Sequence, residues 1–184
     1  ILPVFEGFFL TDPDESVRLN VIRNFPSLLQ LADKADRKAP LEIWSEVVRG
    51  EEFLGSKKRS ASNPVVLNWR QRDYLARSLP DLFGLLDPTL IHEHIWPILQ
   101  QLLTESISLG REDAMWSVPI LLKALCTENC KKWGVKDAKQ FSSDVCTEVT
   151  SWLKETVLRI GAPKDAKSKL VNFNDRQLYC RICA

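Results

Sequence analysis

Three stretches of the sequence share one pattern of apolar and polar positions. Each begins with an arginine and carries a proline eight residues later, and we number positions within each copy from its arginine. Apolar residues stand at positions 3, 4, 7, 10 and 11. On a helix of 3.6 residues per turn these positions share one face, which predicts an amphipathic helix with a buried stripe. The arginine and proline pairs are Arg18 with Pro26, Arg72 with Pro80, and Arg111 with Pro119.

A fourth copy begins at Arg176, with Tyr179, Cys180 and Cys183 at apolar positions and Ala184 in place of the proline. Arg72 and Arg111 are 39 positions apart, close to the length of a HEAT or armadillo unit. The chain begins at Ile1 without a Met and ends within the fourth copy. We therefore expect it to be a segment of a longer repeat array.

A repeat helix needs a partner, and apolar residues with helical spacing precede each copy. The sequence predicts an all-α fold, a single segment over 1–184 built of antiparallel helix pairs. Because proline removes a backbone donor, we expect Pro97 to bend its helix. The Gly- and Ser-rich stretch at about 50–64 predicts a mobile insertion, and 131–136 and about 161–173 predict loops. The predicted pairs are 1–10 with 14–32, 39–50 with 67–86, 88–106 with 109–127, and 137–160 with 174 onward.

Composition and charge narrow the function classes. Of 184 residues, 45% are hydrophobic and 27% are charged, with a net charge of +1, which is typical of a globular protein. The even charge predicts no general attraction to nucleic acid, and no apolar run is long enough for a membrane helix. The five cysteines are an odd number and all follow residue 125. They predict reduced thiols in a cytoplasmic or nuclear protein.

Two acid–arginine spacings and one apolar run resemble HEAT-repeat proteins of the armadillo-type fold. Asp12 precedes Arg18 by six residues, Glu105 precedes Arg111 by six, and the run Pro97–Glu105 matches a HEAT first helix. The resemblance implies a right-handed α-solenoid in which these acids and arginines form a ladder between repeats. The ladder is interrupted in the other two copies, where the acid is replaced by Val66 and Leu170.

Further stretches resemble HEAT subunits of protein serine/threonine phosphatases. The Asn-Trp-Arg run at Asn68 is similar to the scaffold subunit of phosphatase 2A, and 68–125 and 174–184 are similar to regulatory subunits of phosphatase 4. The resemblance implies a non-catalytic scaffold that binds a phosphatase 4 type catalytic subunit and protein substrates, without a cofactor. The alternative is a HEAT adaptor or nuclear transport receptor that wraps protein cargo.

The search for catalytic and metal-binding patterns predicts neither an enzyme nor a metal site. The sequence has no P-loop, no GxSxG, no GxGxxG and no HExxH motif. His92 and His94 are two residues apart, so on a helix they point in different directions, whereas zinc-binding helices use a spacing of four. We interpret both histidines as structural or solvent-facing.

Position 5 of the copies is the strongest candidate for a partner-binding surface. It lies about 100° away from position 4, and Arg and Trp are enriched at interface hot spots. An ordinary solvated face is the competing interpretation. The position-5 residues are Arg23, Arg77, Trp116 and Arg181.

Trp69 and Trp133 are further candidates for partner contacts, whereas Trp44, Trp96 and Trp152 are expected in the core. Ser62, three residues after Arg59, is a candidate phosphorylation site, and the basic stretch before it is alternatively a nuclear address or part of a solvated linker.

Overall fold

The computed structural model describes residues 12, 14–49, 69–104 and 108–161. Every regular element within these ranges is helical, which confirms the all-α prediction. A 3-10 turn, Lys34–Asp36, precedes α2, and a π-helix, Ile91–Ile95, joins α4 to α5. The α-helices are α1 Glu15–Leu31, α2 Lys38–Arg49, α3 Trp69–Phe83, α4 Pro88–Leu90, α5 Trp96–Leu103, α6 Ser108–Ala124, α7 Thr127–Lys132 and α8 Ala138–Gly161. The predicted helices at 1–10 and 174 onward, the insertion at 50–64 and the loop after Gly161 lie outside the described residues.

The chain divides into two compact units, Ile1–Ala124 and Leu125–Ala184. The first unit contains α1 to α6, and the second contains α7 and α8, which contact each other. The single repeat segment over 1–184 stays a prediction.

The helix starts follow from capping side chains. Asp14 precedes α1, and its carboxylate accepts a hydrogen bond from the Ser16 backbone N–H. Asp87 does the same before α4 by accepting from Thr89 N–H, and Pro88 takes the first helical position. Both carboxylates accept hydrogen bonds from backbone N–H groups that have no partner within the first turn of the helix. Both also lie at the positive end of the helix dipole.

A proline lies inside each of the three repeat helices, at Pro26, Pro80 and Pro119. Each proline lacks the N–H that would pair one turn back. Two residues before each proline, a short polar side chain donates to a carbonyl of the preceding turn, as such side chains do within helices. These donors are Asn24 to Asn20 at 2.8 Å, Ser78 to Leu75 at 2.9 Å and Ser117 to Asp113 at 3.4 Å.

The helix widens immediately before Pro97, and the predicted bend at this residue stays a prediction. The five residues Ile91–Ile95 form a π-helix, and Trp96 N–H donates to the Ile91 carbonyl, five residues back. A proline clashes with the carbonyl four residues before it, which here belongs to Glu93. The π-helical turn changes the hydrogen-bond register at the point where an α-helical one would fail.

The predicted loop at 131–136 was partly wrong, and α6 ends earlier than the predicted residue 127. Lys131 and Lys132 form the last turn of α7. Gly134 ends that helix with a φ of +74°, and Val135 N–H donates to the Cys130 carbonyl at 3.0 Å. This is a Schellman termination, in which glycine takes the left-handed conformation at no steric cost.

The apolar stripes form the core of the first unit. Helices α1, α3 and α6 contact one another in chain order, α2 contacts α5 and the π-helix, and α5 contacts both α3 and α6. The Phe25 ring on α1 stacks on Trp44 of α2, with centroids 4.7 Å apart. All five stripe residues of α3 are buried, whereas two are half-buried on α1 and two on α6. Most of the predicted stripe is therefore confirmed as core.

None of the described helices combines the length and the apolar character that crossing a membrane requires.

Candidate protein-binding surface

The structure places the three described position-5 residues on one row of contacting helices, and each is exposed. Arg23 is on α1, Arg77 on α3 and Trp116 on α6. Trp116 is 67% exposed. A tryptophan this open to water is unusual in a core-forming repeat, because burial of its large apolar surface is favourable. The fourth member, Arg181, lies outside the described residues, as does Ser62.

Each position-5 arginine contacts position 2 of the next repeat helix. The Arg23 guanidinium lies over the Tyr74 ring, 4.4 Å from its centroid. The Arg77 Nε donates to Asp113 Oδ2 at 2.8 Å. The first contact is a cation–π interaction and the second an ion pair. The row formed by α1, α3 and α6 therefore packs with the same alignment of repeat positions at both junctions, although one contact is a cation–π interaction and the other an ion pair.

Asp73 adds a buried charge to the second of these junctions. Arg77 Nη2 lies 2.9 Å from Asp73 Oδ2, so one arginine bridges the carboxylates of Asp73 and Asp113. Asp73 is buried, and its Oδ1 has no hydrogen-bond partner. Burial raises the pKa of Asp73, and the nearby Asp113 raises it further, whereas the Arg77 charge opposes both.

Asp73, Tyr74 and Asp113 were not among the candidate residues predicted from the sequence. One signal was present, because Asp73 and Arg77 are four residues apart, the spacing at which side chains pair on a helix. The ion pair of Arg77 with Asp113, 36 residues away, could not be predicted from the spacing of residues within one helix.

An exposed apolar pair distinguishes α6 from the other two helices of the row. Ile120 follows Trp116 by four residues and is 42% exposed, so both side chains lie on one face. Position 9 is polar and exposed in the other two copies, where Ser27 and Asp81 occupy it. The apolar pair is thus a property of α6 and not of the repeat.

The remaining tryptophans occupy different environments. Trp69 is 45% exposed at the start of α3, and the Arg70 guanidinium lies 4.9 Å from the centroid of its ring. Trp133 caps the end of α7 in the second unit and is half-buried. Its backbone N–H donates to the Asn129 carbonyl at 3.1 Å. Trp44 and Trp96 are buried, as predicted. Trp152 is half-buried.

The predicted acid–arginine ladder falls partly outside the described residues. Asp12 is half-buried, and its Oδ1 accepts from Asp14 N–H at 2.8 Å. The side chain of Arg18 and the whole of Glu105 are not described. Arg111 is one of the few buried charged residues. The pairing of the two acids with the two arginines therefore stays a prediction.

Ser45 and His94 contact each other in the structure, and the sequence did not predict this contact. His94 Nδ1, on the π-helix, lies 3.3 Å from Ser45 Oγ on α2. The Ser45 hydroxyl also donates to the Glu42 carbonyl at 2.9 Å, and the direction of its contact with His94 Nδ1 follows the tautomer of the imidazole. Ser45 is 1% exposed, so this pair joins two helices and offers no accessible nucleophile.

Burial favours the neutral form of His94. Its Nε2 is buried without a hydrogen-bond partner, and the nearest Glu93 carboxylate oxygen lies 3.8 Å away. Burial lowers the pKa of His94 more than the charges of Glu93 and Glu42 raise it. This agrees with the structural interpretation of this histidine.

Among the described residues, no group of three or more His, Cys, Asp or Glu side chains could hold a metal ion. Cys126, Cys130 and Cys146 are free thiols, and Cys130 is buried with its Sγ 3.4 Å from the Leu125 carbonyl oxygen. Comparisons of the chain with models of known protein families, with curated proteins and with solved structures found no match.

Proposed function

We propose that this chain is a non-catalytic scaffold segment of HEAT-like helix pairs that binds other proteins through the row formed by α1, α3 and α6. The observation that carries the proposal is the shared exposure of Arg23, Arg77 and Trp116 at one repeat position on three contacting helices. Repeating helices that contact their neighbours in order create an extended surface of the kind solenoid proteins use for binding.

The phosphatase part of the proposal is supported by the sequence resemblance alone. We infer that the partner is a protein serine/threonine phosphatase catalytic subunit of the phosphatase 4 type, with this chain helping to select protein substrates. The row offers both charged and aromatic side chains, since Arg23 lies over the Tyr74 ring and Arg77 and Trp116 are exposed on the next two helices. Such a mixture suits a protein partner, because Arg, Tyr and Trp dominate binding energy at interfaces.

A binding experiment with purified components tests this proposal. The chain is immobilised and incubated with purified phosphatase 4 catalytic subunit, and the Arg23→Ala, Trp116→Ala double variant is compared with Lys139→Ala, which is exposed on α8 in the other unit. We expect the wild-type chain and Lys139→Ala to retain the phosphatase and the double variant to bind it at least 10-fold more weakly.

Failure to retain the phosphatase 4 catalytic subunit would overturn the phosphatase assignment. Binding of the GTPase Ran instead would favour the alternative of a nuclear transport receptor. Equal binding by the wild type and the double variant would leave the phosphatase assignment standing but would move the binding surface away from the row.

A further inference from the structure

One edge of the Arg77 guanidinium is shared by two carboxylates at the α3–α6 junction. Arg77 Nη2 lies 2.9 Å from Asp73 Oδ2, and Arg77 Nε lies 2.8 Å from Asp113 Oδ2. An arginine commonly offers two such nitrogens to both oxygens of a single carboxylate. Here each nitrogen contacts a different carboxylate, so the cluster combines two negative charges with one positive charge.

The second oxygen of Asp73 shows that its charge is incompletely compensated. Asp73 is 8% exposed, and its Oδ1 is buried without a hydrogen-bond partner. A buried oxygen that has lost its water costs more free energy on a charged carboxylate than on a neutral carboxyl group. Uptake of a proton by Asp73 therefore relieves a cost that the contact with Arg77 leaves in place.

The charges around Asp73 make Asp113 the acceptor for that proton. Arg77, on the same helix, and Asp113, on α6, are the charged groups that act most strongly on Asp73, and Asp113 lies within its hydrogen-bonding reach. Of the other helices packed against α3, α1 places Arg23 over the Tyr74 ring, and α5 has no charged residue. The charged residues adjacent to the pair in sequence are Arg72 and Glu112.

We propose that Asp73 and Asp113 form a proton-binding pair that switches the contacts of Arg77 in the row formed by α1, α3 and α6. When a proton binds Asp73, its new O–H donates to Asp113, and the contact between Asp73 Oδ2 and Arg77 Nη2 breaks. Arg77 keeps Asp113 through Nε, and the three groups together lose their net negative charge. Because Arg77 is exposed, the released Nη2 can then donate to a carboxylate of a protein partner, a consequence that rests on the proposed function.

The direction of the switch follows from the environment of Asp73. Burial raises the pKa of Asp73, the Arg77 charge opposes this shift, and the Asp113 charge adds to it. Above the titration range of the pair, Arg77 bridges both carboxylates, and as the pH falls the pair takes up one proton and the bridge opens. Because the two carboxylates interact, this titration belongs to the pair and not to either residue alone.

The first test follows the carboxyl carbons of the complete chain, labelled with carbon-13 aspartate, by NMR as the pH is lowered. The Asp73 and Asp113 signals are identified by their absence in Asp73→Asn and Asp113→Asn. We expect both signals to shift in one titration step, and Asp73 in the Asp113→Asn variant to lose proton affinity about 10-fold, because the neighbouring negative charge is gone.

Asp81→Asn is the matched control for this titration, because it removes an exposed carboxylate from the same helix. It should leave the titration of Asp73 unchanged. An Asp73 signal that titrates at the same pH in Asp113→Asn as in the wild type would overturn the proposal, since burial alone would then account for its behaviour.

The second test measures the contacts of Arg77 without acid. Asp73→Asn imitates the protonated state, since its amide is uncharged and can donate to Asp113. Rotation of a guanidinium about its Nε–Cζ bond is slow while both edge nitrogens are held, and NMR of nitrogen-15-labelled arginine measures its rate. We expect Arg77 to rotate about 10-fold faster in Asp73→Asn than in the wild type at pH 7, because one hydrogen bond to a charged group is lost.

Arg23 is the internal reference for this measurement, because its cation–π contact with Tyr74 does not involve the pair. Its rotation should be equally fast in both proteins. Equal rotation rates of Arg77 in the two proteins would overturn the proposal.

The outcome is separable from that of the proposed function, because neither measurement uses a partner. A chain that retains the phosphatase but titrates Asp73 independently of Asp113 defeats only the switch. A chain that shows the coupled titration but does not retain the phosphatase defeats only the phosphatase assignment.

Discussion

Two junctions in the first unit each carry a titratable side chain whose pKa is shifted by burial, and the two pKa values move in opposite directions. At the junction of α3 with α6, burial raises the pKa of Asp73, and Arg77 bridges it to Asp113. At the junction of α2 with the π-helix, burial lowers the pKa of His94, whose Nδ1 lies 3.3 Å from the uncharged Ser45 hydroxyl oxygen. In both cases desolvation favours the neutral form.

The difference lies in what compensates the buried group. Asp73 has an arginine beside it, so its charged form is partly compensated, whereas His94 has a neutral partner and the closest carboxylate oxygen is 3.8 Å from its Nε2. A buried charge costs stability unless a partner of opposite charge lies beside it. The stability of the α3–α6 junction therefore depends on the charge of Arg77, and that of the α2 junction depends on the neutral form of His94.

The largest expected effect comes from placing a second buried acid on α3, this time without a cation beside it. Leu79 is 0% exposed at position 7 of the stripe. Leu79→Asp should cost about 4 kcal/mol or more, because a carboxylate in an apolar core has nothing to pair with. Thermal unfolding followed by circular dichroism measures the loss. Asp81→Leu, an exposed change on the same helix, is the control, and an unchanged melting temperature in Leu79→Asp would show that the stripe is misassigned.

Removal of the bridging cation is expected to have the next largest effect. Arg77→Ala leaves the buried Asp73 facing Asp113 without compensation, so the melting temperature at pH 7 should fall. The loss should shrink near pH 4, where Asp73 can take up a proton. Arg23→Ala is the matched control at the other position-5 contact. It removes only a cation–π interaction, worth about 0.5–1 kcal/mol at an exposed site. A larger drop in Arg23→Ala than in Arg77→Ala would contradict this ranking.

Asp73→Asn tests whether the buried carboxylate itself costs stability. Because the folded state raises the pKa of Asp73, the folded protein binds more protons than the unfolded chain, and the cost of this group is relieved as the pH falls. Asp73→Asn should therefore have a higher melting temperature than the wild type at pH 7, and the difference should vanish near pH 4. A difference that grows as the pH falls would show that Asp73 is stabilised in its charged form.

The smallest expected effect concerns His94, whose pH dependence has the opposite sign. The folded state lowers the pKa of His94, so the unfolded chain takes up a proton first as the pH falls below about 6.5. Stability from this group is full above that pH and declines below it. The melting temperature of the wild type should fall between pH 7 and pH 5 relative to that of His94→Asn, whose amide keeps a donor and an acceptor beside Ser45 and does not titrate. Parallel pH profiles of the two proteins would contradict the assignment.

Local periodicity was sufficient to predict most of the helices and most of their buried faces. The stripe of α3 from Leu75 to Phe83 is buried at all five positions, because a helix with an apolar face has to cover it. The π-helix before Pro97 and the early end of α6 were not predictable in the same way. Both depend on how single backbone hydrogen bonds are redistributed, which the apolar pattern does not encode.

The candidate surface was partly predictable. The sequence selected Arg23, Arg77 and Trp116 because they share a repeat position, and the structure places all three on exposed faces of contacting helices. It could not select Tyr74 and Asp113, since each contacts an arginine 36 or more residues away. The choice between a cation–π contact and an ion pair at two equivalent positions depends on the neighbouring helix.

By itself, the sequence determined that the chain is helical, where most of the helices lie and which face of each is apolar, because these depend on residue spacing over a few turns. The tertiary structure alone decided which carboxylates share Arg77, that His94 meets Ser45, and that Trp116 and Ile120 remain open to water. These depend on contacts between residues distant in the chain, whose burial and charge become defined only when the helices pack together.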